Sequence, residues 1–141
     1  MILARSPRFR TFAALLARFA LAAGFLSSVA DRFGIWGRPG ASHVLWGDFQ
    51  HFVTYTETLN PFVPKAVAPV IAWLVTVLET GFGLGLLLGI RTKAMALGSG
   101  CLLLLFSLAM TVSVGVHPTL AYSVVSAAGA ALLLAWVSDN L

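Results

Sequence analysis

The chain has 141 residues, 59% of them hydrophobic and 10% charged, with a mean hydropathy of +0.92. A soluble domain carries about a quarter charged residues, so this composition excludes an ordinary soluble fold and indicates one membrane domain over 1–141. The net charge of +4 does not imply a nucleic-acid partner. Arg5, Arg8, Arg10, Arg91 and Lys93 flank apolar runs, where Lys and Arg mark the cytoplasmic side of a bilayer.

Four stretches are long and apolar enough to cross a membrane as helices: Thr11–Ala30, Ala66–Leu88, Ala94–Val114 and Thr119–Val137. The breaks between the last three are short, a basic turn at 89–93 and a neutral one at 115–118, which forces antiparallel neighbours. An all-α, up-down four-helix bundle follows. Five basic residues flank one side. The other side has Arg32, Arg38 and Lys65, diluted by Asp31, Asp48 and Glu57. This bias places both termini in the cytoplasm of a bacterial inner membrane and the 31–65 loop outside. A basic start and Ser28-Val29-Ala30 also fit a cleaved signal peptide, but Arg18 splits the apolar run that such a peptide needs.

Within the outer loop, Leu45, Phe49, Phe52, Thr56 and Leu59 recur every three or four residues. That stripe predicts an amphipathic helix, bounded by Pro39-Gly40 and Asn60-Pro61. Trp36, Trp46, Tyr55 and Phe62 favour the membrane–water boundary. The helix reads as an interfacial lid on the bundle or as a docking element for a partner.

Two opposite charges lie inside the apolar stretches, Arg18 and Glu79. A charge in hydrocarbon costs a few kcal/mol or more, so it faces the bundle interior and finds a partner. Arg18 lies eight residues from Arg10, about 12 Å deep, and Glu79 twelve from Arg91, about 18 Å deep. An arginine side chain spans that difference, so the two are expected to pair near the midplane. The pair reads equally as a device fixing helix register and as a ligand or proton site. Thr76 shares the Glu79 face; Trp46, His51, Tyr55, His117 and Tyr122 are candidates for an adjoining pocket or lid.

Gly81, Gly85 and Gly89 form a row at four-residue spacing that suits close helix packing in lipid. The histidines lie toward the outer side, too shallow to hold haem within the bundle. His43, Asp48 and His51 have no diagnostic metal spacing, so no metal is expected. Cys101 is the single cysteine, which excludes a dithiol relay within this chain.

The order of Arg18, Trp46-Gly47-Asp48-Phe49-Gln50-His51-Phe52, Leu59-Asn60-Pro61-Phe62-Val63-Pro64 and the segment from Glu79 to Lys93 resembles the DoxX family of small bacterial four-span membrane proteins. Its most telling part is E-x-x-x-G-x-x-L-x-x-G-x-x-T from Glu79 to Thr92. The resemblance implies a membrane subunit associated with oxidoreductase complexes, quinone-linked in some members, and carries no catalytic assignment. The expected function is therefore an accessory subunit with redox-complex subunits or a second copy as partners. Quinone is the one cofactor it suggests. The alternative is an assembly or maturation factor for other membrane proteins. A transporter fits poorly, because no helix is plainly broken and no inverted repeat is evident.

Overall fold

The computed structural model describes residues 6–138, and all regular structure within them is helical. Six α-helices follow in order: α1 Pro7–Arg32, α2 Phe49–Leu59, α3 Ala68–Leu88, α4 Thr92–Ser113, α5 Val116–Ala121 and α6 Val124–Val137. A 3-10 turn at Lys65–Val67 leads into α3. Three of the helices are long and apolar enough to cross a membrane: α1, α3 with its leading turn, and α4.

The fourth expected span is broken. Ser123 takes a left-handed conformation, φ 57°, which separates α5 from α6. L-residues enter that region rarely and cannot continue a right-handed helix through it. The 14 residues of α6 rise about 21 Å, short of a bilayer core by themselves.

The 31–65 loop holds the amphipathic helix as α2, which buries Phe52, Val53 and Thr56. Asp48 caps its first turn by accepting from the His51 backbone N–H at 2.8 Å. At its other end the Leu59 carbonyl accepts from the Ser113 hydroxyl of α4 at 2.8 Å. Leu45 falls outside this helix and is exposed.

Helix α4 packs most extensively on α6, and α1 on α3. One apolar cluster joins Leu21 and Ala22 of α1, Leu86 of α3, Ala96 of α4 and Ala131, Leu134 and Ala135 of α6. A second seats Phe52 and Val53 of α2 on Ala68, Ala72 and Val75 of α3. The buried alanines let the backbones approach, which is how helices gain packing in lipid.

The glycines of α3 do not make one seam. A Cβ on Gly85 would strike Met95 of α4, whereas Gly89 ends α3 in the left-handed region at φ 72°. At Gly81 a Cβ would meet nothing within 4 Å. The close approach to α1 is instead at Gly83, where a Cβ would lie 2.9 Å from Leu26. Gly83→Ala should therefore cost about 1–3 kcal/mol by overpacking. Gly81→Ala should be neutral or stabilise by up to about 1 kcal/mol through helix propensity. Detergent-titrated unfolding of the two variants reads the contrast, and equal losses at both positions would refute it.

Candidate functional site

Arg32 is the last residue of α1 and is 1% exposed. Its guanidinium forms an ion pair with Glu79 of α3. It also donates to the Thr76 hydroxyl at 2.9 Å and, more weakly, to the Ser28 hydroxyl at 3.4 Å. The Phe52 ring covers it from the α2 side, with the guanidinium carbon 3.6 Å from the ring centre, and Trp46 stands 5.3 Å away. Thr76 in turn donates to the Ala72 carbonyl at 2.8 Å. A cation is thus held by one carboxylate and two hydroxyls under an aromatic roof, the kind of charge-paired and stacked setting that suits arginine.

Asp31, the neighbouring residue, is also buried and anchors that roof. Its carboxylate accepts from the backbone N–H groups of Trp46 at 2.7 Å, Leu45 at 3.3 Å and Gly47 at 3.4 Å. Gly47 stands at φ 73°, and a Cβ there would strike the backbone of Arg38 and Pro39, so no side chain fits. The Asp31-Arg32 dipeptide therefore turns one charge outward to hold the loop and the other inward to hold α3.

The pairing of Arg18 with Glu79 expected from depth is not what the structure contains. In a helix every Cα–Cβ bond tilts toward the N-terminus. Arg18 accordingly points away from the α2 end of the bundle and lies against Gly89, ten residues beyond Glu79 and about 15 Å along α3. The same tilt carries Arg32 from the C-terminal end of α1 back into the bundle, where Glu79 waits. Arg18 keeps company with the Phe19 ring at 4.8 Å, and its Nε is buried without a hydrogen-bond partner.

The other candidate residues divide. Thr76 bonds Arg32 directly, the Trp46 ring centre stands 5.3 Å from the guanidinium carbon, and Tyr55 packs on Trp46 with ring centres 5.8 Å apart. Burial pushes the Tyr55 phenol above its ordinary value, with Tyr122 adding to the shift. Tyr122 itself is 67% exposed, and His117 is exposed on α5, so neither helps enclose the pair. His51 is exposed and its ring Nδ1 lies 2.8 Å from Asp48. The His51 backbone N–H, and then its ring, hold the Asp48 carboxyl below the usual aspartate range. His43 lies apart, lining a pocket of about 330 Å³ with Ser27, Ser28, Asp31 and Trp36. Cys101 is exposed on α4.

Arg32 and Asp31 are the residues that sequence reasoning missed. Both stood at the hydrophilic edge of span one, where composition makes them look like ordinary loop charges. The usable signal was direction: an arginine one turn beyond Ser28, at the C-terminal end of a span, points back along the helix.

Chemically, the arrangement holds charges in place and offers little else. Arginine stays protonated, so it orients a carboxylate and does not shuttle protons. The site defines a helical membrane protein whose sealed arginine–glutamate pair is locked beneath a short amphipathic cap. The family model described as methylamine utilisation protein MauE matches residues 10–121, and the chain belongs to that family. This match overturns the DoxX resemblance. The acid and glycine pattern that carried the resemblance reflects helix packing, which any compact membrane bundle needs, and so does not discriminate between families. Neither the search of curated proteins nor that of solved structures returned a match.

Proposed function

We propose that this protein is an accessory membrane component of a methylamine-utilising redox system, acting through partner proteins and not as a stand-alone enzyme. The family match over most of the chain carries the reading. The sealed pair supports it: Arg32 and Glu79 are enclosed by the protein's own side chains, which suits a structural anchor for the outer cap better than a turnover site. The finer part of the proposal is a quinone-linked partner complex in a bacterial inner membrane, with both termini cytoplasmic and α2 outside. In that arrangement α5 and α6 in series make the fourth crossing. The basic flanks at Arg8, Arg10, Arg91 and Lys93 support this orientation. Reporter fusions at Ala41 and Thr92 test it, because a periplasmic reporter active at Thr92 reverses it.

Deleting the chain from its host should abolish growth on methylamine and leave growth on other substrates intact. The purified protein, supplied with methylamine and quinones, should show no turnover. Unimpaired growth of the deletion strain on methylamine would defeat the proposal, as would sustained catalysis by the isolated chain.

A further inference from the structure

A second polar place lies at the opposite end of the bundle from the Arg32–Glu79 pair. A pocket of about 260 Å³ opens between α1, the start of α4 and the end of α6. Its polar lining includes Arg18, Thr92 and Ser138, and its apolar wall is Ala14, Leu15 and Leu134. Arg18 has no carboxylate partner among the described residues, and its Nε is buried without a hydrogen bond. A cation within a membrane helix that lacks a counter-charge among the described residues leaves room for an anion to bind beside it. Helix α4 begins at Thr92 without a side-chain cap, so its partial positive end adds to the same field.

From these observations we propose that the Arg18 pocket binds a phosphate anion. Arg18 supplies a fork of donors matched to phosphate oxygens, and the Thr92 hydroxyl, which makes no hydrogen bond among the described residues, supplies another. Ser138 already donates to the Leu134 carbonyl at 2.6 Å, so it shapes the pocket without adding a donor. The position suits a headgroup. The Arg18 side chain runs back toward Gly89 at the basic turn, the level at which arginines reach the membrane surface. The same phosphate chemistry is available from a phospholipid or from free phosphate. The apolar wall beside it would accept the first carbons of an acyl chain.

The test uses the full chain in an uncharged detergent, titrated with phosphatidylglycerol, diacylglycerol of the same chains, or inorganic phosphate. Native mass spectrometry reads bound lipid and calorimetry reads phosphate. The wild type should retain phosphatidylglycerol and not diacylglycerol. Arg18→Gln should bind it at least about tenfold more weakly, Thr92→Val several-fold more weakly, and Arg18→Lys at an intermediate level. Retention that inorganic phosphate does not displace identifies the lipid. Arg18-dependent binding of inorganic phosphate with no gain from acyl chains identifies free phosphate. If the wild type retains neither, the proposal is overturned. Equal retention by wild type, Arg18→Gln and Thr92→Val, all monodisperse and helical, overturns it too.

Discussion

Arg32→Leu should destabilise the protein by about 3–5 kcal/mol, Glu79→Leu should do the same, and the double variant should recover most of the loss. Each single change strands a buried charge: Glu79 is 2% exposed and has no other cation beside it among the described residues. Desolvating an unpaired charge costs more than the pair contributes, so removing both partners leaves an apolar contact of similar bulk. The double variant still loses the Thr76 and Ser28 hydrogen bonds and the Phe52 stacking, which limits the recovery. Unfolding titrations in mixed micelles complete the cycle. Single losses that simply add would show that the two charges are not coupled.

Asp31→Asn should loosen the cap and little else. The carboxylate is the common acceptor for three consecutive backbone N–H groups, at Leu45, Trp46 and Gly47. Losing the charged acceptor is worth about 2–3 kcal/mol, and an amide, with one acceptor oxygen, cannot serve all three donors. The loss should fall on the segment that Asp31 holds. Hydrogen exchange at 45–59 should quicken, because α2 keeps its apolar seat on α3 but loses the tether that orients its entry. Amides of the α4–α6 interface should exchange as before. Acceleration spread evenly over all helices would contradict a local role for Asp31.

Much of the fold was legible because it is written in period and composition. Phe49, Phe52, Thr56 and Leu59 recur at helical spacing, and α2 covers all four. Glu79 was conspicuous as an acid in a long apolar run, and its burial follows from the cost of charge in hydrocarbon. Its partner was not legible from depth alone. Counting rise along two helices gives the heights of Cα atoms, and an arginine head lies several ångströms from its Cα in a direction set by helix polarity. Arg32 also needs α2 folded over it before it is buried, and that closure depends on Asp31 and Gly47, which are distant in sequence from Glu79. The glycine row misled for a related reason. Positions 81, 85 and 89 share a stripe, but α3 meets open space at the first, α4 at the second and its own end at the third. The break at Ser123 has no proline or glycine to announce it.

On our proposal the Arg32–Glu79 pair holds the α2 cap on the bundle and takes no part in chemistry. That role is tested most directly by returning the double variant Arg32→Leu/Glu79→Leu to a strain lacking the chain and measuring growth on methylamine at matched membrane levels of the protein. Growth should come close to that given by the wild type, with each single variant failing through low abundance. A double variant that accumulates normally yet does not support growth would contradict it and place the pair in the working site itself.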